Sequence, residues 1–130
     1  MASTPRKGSD ISVVCWGNLV PRSMEAARAL AQDGIEAEII DLRTVDAGWD
    51  VPAVVASVDR TGSILVAEED RLTGGFGATI AARVAQELPG VLVGRLTARD
   101  VRVAYGPEGE RAVLPQVPDI ISAVRHLVEG

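Results

Sequence analysis

The residues most able to do chemistry lie between Ser63 and Ala82, in the run SILVAEEDRLTGGFGATIAA. Glu68, Glu69 and Asp70 place carboxylates side by side, and neighbouring carboxylates can raise one another's pKa and so work as an acid/base pair. Adjacent strand residues point to opposite faces, however. One carboxylate is therefore expected to pack inside the loop, accepting N–H bonds from the glycine turn, while the other is solvated. Gly74, Gly75 and Gly77 follow, and glycine-rich backbone at a helix start can cradle phosphate. The spacing does not complete that pattern. G-x-G-x-x-G needs a third glycine where Ile80 stands, three acids sit just upstream, and no G-x-x-x-x-G-K-[ST] run occurs. The glycines are read instead as a tight strand-to-helix connection.

Two other reactive residues stand outside this run. Cys15 lies within an apolar strand, where a thiol behaves as a small hydrophobe with a raised pKa. His126 falls on the polar face of the last helix, with no partner in evident reach for general-base work. No His/Cys cluster or Asp-rich loop has metal-ligand spacing. The sequence therefore points to no catalytic, cofactor-binding or metal-ligating residue.

The elements that position these residues alternate in type. Ile11 to Trp16 reads as a strand, Gly17 and Asn18 as a turn, and Val20, Met24, Ala27, Leu30 and Ala31 as one face of a helix stopped by Gly34. Ile35 to Asp41 reads as a second strand. Asp50 is the expected N-cap of a helix with Pro52 in its first turn and Val51, Val54, Val55 and Val58 on one face. Ser63 to Ala67 is the third strand, ended by the acids, and Phe76, Ile80, Val84 and Leu88 share the face of the next helix. Val91 to Leu96 is a fourth strand and Val101 to Tyr105 a candidate fifth. A last helix from Pro118 carries Val117, Ile121, Val124 and Val128 inward, with Asp119, Ser122 and His126 outward.

Such alternation predicts right-handed βαβ units in a three-layer α/β/α domain with a mainly parallel sheet. Ligands and partners of such sheets meet the loops at the carboxyl ends of the strands. Here those are Gly17–Asn18, Leu42–Thr44, Glu68–Gly77 and Thr97–Asp100.

Size and composition narrow the function classes. The 130 residues, 47% hydrophobic, suffice for one domain with a real core. Residues 1–9 are polar and read as a flexible leader, with the domain running from 10 to 130. A net charge of −5 without a Lys/Arg cluster argues against a nucleic-acid surface and favours basic protein partners. There is no apolar signal segment and no membrane-spanning stretch, and one cysteine fits a reducing compartment, so the cytoplasm is the expected location.

Several longer runs resemble one family. DISVVCWGNLV, EAARALAQDGIEAEIIDLRTV, SVDRTGSILVAEEDRLTGGFGATIAARV, RLTARDVRVAY and LPQVPDII, in that order, are similar to the C-terminal domain of the transketolase family. They are most similar to the β subunit of thiamine-diphosphate-dependent 2-oxo acid dehydrogenases acting on pyruvate, branched-chain 2-oxo acids or acetoin. GIEAEIIDLRTV and the EE…GGFG segment are the most specific pieces. The resemblance implies a five-stranded, mainly parallel sheet. It also implies that thiamine diphosphate and magnesium belong to other domains of the parent enzyme, so that this chain binds no cofactor and is not active alone. The diphosphate motif and the activating glutamate of the pyrimidine domain are absent. Arg102 and Ala104 stand where the family often has proline, and Gly109 where leucine usually precedes the glutamate matching Glu110.

The function implied is assembly. The domain would support association with thiamine-binding domains on another chain or with a second copy, and dock the peripheral subunit-binding domain of the acyltransferase core. Glu68, Glu69 and Asp70 are the acids expected to orient a basic partner, with Leu72 and Phe76 as apolar contacts and Gly74, Gly75 and Gly77 as the structural loop. The alternative is a stand-alone small-ligand or regulatory module using the strand-end crevice near Asn18, Thr44 and the glycine loop.

Overall fold

A computed structural model describes residues 1–71, 75–98 and 114–130. The order of elements is β1 (Ser3–Arg6), β2 (Ile11–Cys15), α1 (Leu19–Gln32), β3 (Ala37–Asp41), α2 (Val51–Thr61), β4 (Ser63–Arg71), α3 (Phe76–Glu87), β5 (Leu92–Ala98) and α4 (Val117–Glu129). The described strands form one sheet in the order β1-β3-β2-β4-β5, with β1 antiparallel and the remaining pairs parallel.

Every residue of β2 is buried, because a central parallel strand is covered on both faces. Alternate side chains then feed two cores. Val13, Cys15, Ile39 and Leu65 pack beneath α1 and α4 with Leu19, Ala27, Leu30, Ile120 and Val124. Val14, Ile40, Ile64 and Val66 face α2 and α3 with Val54, Val58, Ile80 and Val84. This is the expected three-layer α/β/α arrangement. Asp50 caps α2 as expected, its Oδ1 accepting the Ala53 N–H at 3.3 Å, and Gly62 ends that helix in the left-handed conformation. No described helix is long and apolar enough to cross a membrane.

Three expectations change. Residues 1–9 are not a free leader: Ser3 and Arg6 pair with Asp41 and Ile39 of β3, and the Ser9 and Asp10 amides both donate to the Glu36 carbonyl. The described fifth strand is thus N-terminal, and Val101 to Tyr105 lies outside the described residues. Strand β4 is not ended by its acids but runs on to Arg71, which pairs with Ala98 after a register shift beyond Ala67. In α4 Val124 is buried and Val117 and Ile121 pack half-buried against the core as expected, but Ile120 is fully buried as well and Val128 is 37% exposed. Asp119, Ser122 and His126 do face outward.

Candidate functional site

At the carboxyl edge of the sheet, Glu68 is the residue around which the geometry is organised. Its position on β4 turns it toward α3, and it is 0% exposed. Its Oε2 accepts the Gly77 N–H at 2.7 Å, and its Oε1 accepts from Arg95 Nη2 at 2.6 Å. Arg95 comes from the adjacent strand β5, with its side chain only 15% exposed. The carboxylate thus caps the first turn of α3 from outside the helix, since its N-cap residue Gly75 offers no side-chain bond. Gly77 is required by this approach. A Cβ there would lie 2.5 Å from Glu68 Oε1 and 2.7 Å from its Cδ, well inside contact distance.

This arrangement realises one half of the sequence reading and alters the other. Glu68 is the acid packed inside the glycine turn, and its burial prevents it from meeting a partner directly. Glu69 is half-buried, its Oε1 without a hydrogen-bond partner among the described residues. Leu72 and Gly74 lie outside the described residues, as do Arg102, Ala104, Gly109 and the side chain of Asp70. The Gly77 N–H at the start of α3 is already taken by Glu68 and is not open to a second anion.

Phe76, the first residue of α3, stands between two tryptophans. Its ring meets Trp16 edge-on with centroids 6.1 Å apart and Trp49 edge-on at 6.4 Å. These are the favoured T-shaped contacts of aromatic pairs. The chain has two Trp, one Phe and one Tyr, so three of its four aromatic rings converge at the carboxyl edge. Trp16 follows β2 directly and Trp49 precedes the cap of α2; Trp49 is 7% exposed, whereas Trp16 and Phe76 are half-buried. Sequence reasoning singled out Phe76 alone. The signal for the others was their placement, each immediately next to a strand end or a helix cap.

The remaining strand-end residues lie in the loops that follow β2 and β3. Asn18 is exposed at the start of α1, and Thr44 is half-buried in the loop after β3, its N–H donating to the Leu42 carbonyl at 2.7 Å. Arg43, just before it, holds a φ of 66°, an uncommon conformation for a residue with a side chain. Cys15 is fully buried and its thiol lies 3.6 Å from the Ile40 carbonyl. Burial pushes the thiol up to about 12, partly offset by the Ser23 hydroxyl and reinforced by Asp41, so it is no nucleophile at neutral pH. His126 is exposed in the last turn of α4.

A second polar centre, missed in the sequence, lies at the opposite edge of the sheet. Glu38 is 2% exposed; its Oε2 accepts from Ser57 Oγ at 2.6 Å and Arg60 Nη2 at 2.7 Å, and its Oε1 from the Gly8 N–H at 3.2 Å. Ser12 Oγ continues the chain, 2.6 Å from Ser57 Oγ and 2.8 Å from Thr61 Oγ1. Burial alone would raise the Glu38 pKa, but the bonds from Arg60, Ser57 and Gly8 hold it below its ordinary value. This centre ties strands β2 and β3 to the end of α2 and is structural.

The fold and this edge define a domain of the kind that closes transketolase-type chains. The chain belongs to the transketolase C-terminal domain family, which it matches over residues 1–120. It is 36% identical to the pyruvate dehydrogenase E1 component subunit beta of Staphylococcus aureus over 98% of its own length and 40% of that protein's. It is also 36% identical to the acetoin:2,6-dichlorophenolindophenol oxidoreductase subunit beta of Cupriavidus necator, over 99% of this chain and 39% of that one. Among solved structures, a split-gene transketolase described as an inactive β4 tetramer superposes with a TM-score of 0.86 at 26% identity, covering 99% of this chain and 41% of that one. A Pichia stipitis transketolase shares the fold at a TM-score of 0.67 and 16% identity. The chain therefore spans about two fifths of the length of the β subunits it matches.

Proposed function

We propose that this chain is a non-catalytic assembly and docking domain of a thiamine-diphosphate-dependent 2-oxo acid dehydrogenase, corresponding to the C-terminal part of its β component. The observation that carries this reading is the end-to-end match of the chain to about two fifths of such β subunits. Thiamine diphosphate and magnesium then belong to the remaining portion of the enzyme, and no residue of this chain is assigned to them. The work of the domain is association. Trp16 and Phe76 offer half-buried aromatic surface at the same strand-end edge as the half-buried Glu69, a combination suited to a partner with an apolar centre and a basic rim. Glu68 acts indirectly, by fixing α3 and hence the Phe76 ring.

Co-expression with a chain carrying the diphosphate- and pyrimidine-binding domains tests this. The expected result is a complex of fixed stoichiometry that is weakened by Phe76→Ala or by Glu69→Lys with Asp70→Lys. A chain that remains monomeric and separates from those domains overturns the reading.

A further inference from the structure

Residues 2–10 are tied along one edge of the domain, from one end of α2 to the other. At the first tie the Ala2 N–H donates to Asp50 Oδ2 at 3.0 Å, next to Trp49 in sequence. Strand β1 then pairs with β3, and the Arg6 guanidinium meets Glu36 Oε2 at 3.2 Å. At the last tie the Gly8 N–H donates to Glu38, which also holds Ser57 and Arg60 near the end of α2. The passage at Gly8 is tight, because a Cβ there would lie 2.4 Å from the Ala37 carbonyl carbon and 2.5 Å from the Glu38 nitrogen.

The segment between the ties is short and polar, STPR, with Thr4 and Pro5 exposed. Polar ties and one edge pairing hold it, so opening it exposes little apolar surface, the condition under which local opening precedes global unfolding. Its Ala2 end packs against the buried apolar cluster that includes Trp49, against which Trp16 and Phe76 also pack.

We infer that residues 2–10 form a displaceable strap, seated by Asp50 and Glu38 across the edge of β3, whose release uncovers the Trp49 side of the aromatic cluster while the rest of the domain stays folded. The inference rests on the ties just described and stands whether or not the chain assembles with thiamine-binding domains. It makes the covering of the carboxyl edge depend on contacts made at both ends of α2.

Hydrogen exchange of the full chain, read by peptide mass, tests it with Gly8→Ala, which forces the strap off sterically without changing any charge, and Arg6→Ala, which removes the strap's pairing with Glu36. Both variants should speed exchange of residues 3–10 by about tenfold or more while peptides from β2 and β4 keep their protection. Tryptophan emission of Gly8→Ala should shift to the red. Unchanged exchange in the segment for Gly8→Ala, or an equal rise across the strap and the β2–β4 core, contradicts a separable strap. An opened segment with unaltered emission contradicts its control of the aromatic edge.

Discussion

Replacing Gly77 with alanine sets two effects of opposite sign against each other. Alanine is favoured over glycine within a helix by up to about 1 kcal/mol, so propensity alone predicts a more stable α3. The new Cβ, however, would stand 2.5 Å from Glu68 Oε1 and 2.9 Å from its Oε2. Glu68 is fully buried and cannot swing into water; moving it breaks or stretches its bonds to the Gly77 N–H and to Arg95. Hydrogen bonds to charged groups contribute about 1.5–3 kcal/mol each, so partial loss of both costs about 3 kcal/mol. The net expectation is a destabilisation of about 2 kcal/mol, or a fall in Tm of about 8 °C for a domain of this size. Thermal unfolding followed by circular dichroism measures it. In a Glu68→Ala background the same substitution meets no carboxylate and should become neutral or stabilising, a coupling that a double-mutant cycle isolates. A Gly77→Ala protein as stable as the parent refutes the claim that the Glu68 carboxylate caps α3.

Glu38 predicts a pH dependence with a definite sign. Its carboxyl is held below the ordinary value of 4.5, so its contribution is fully present above that pH and is lost as pH falls through the folded-state value. Urea midpoints of the parent should drop more steeply below about pH 5 than those of Glu38→Gln, and parallel curves would contradict this. Cys15, raised to about 12 by burial, should resist a disulfide reagent at pH 8 until the chain unfolds; rapid full labelling of the folded protein would show the strand to be open. Asp50→Ala should cost about 1 kcal/mol through loss of the α2 cap, measured by urea unfolding, with Asp50→Asn retaining most of that stability.

Apolar runs and periodicity were enough to locate β2 to β5 and the faces of α1, α2 and α3, because Ile11 to Cys15 or Val54 and Val58 report their burial through their own side chains. Strand β1 gave no such sign. Its STPR residues are polar, and what seats them is backbone pairing and the carboxylates of Asp50, Glu36 and Glu38, far away in sequence. The length of β4 was hidden for a related reason: the run of three acids reads as the end of the strand until Arg95, 27 residues on, supplies the counter-charge for Glu68. Glu38 likewise reads as the polar side of an alternating strand, yet it is buried because Ser57 and Arg60 meet it there. The tight passage of α3 past Glu68 was legible as a glycine turn, while the convergence of Trp16 and Trp49 on Phe76 depends on the order of strands in the sheet.

Sedimentation velocity of this chain mixed with a companion carrying the diphosphate- and pyrimidine-binding domains tests the assembly role most directly. A single faster boundary containing both chains in a fixed ratio is expected, slowed toward the free species by Phe76→Ala. Two independent boundaries at micromolar concentrations, unaffected by that substitution, would contradict it.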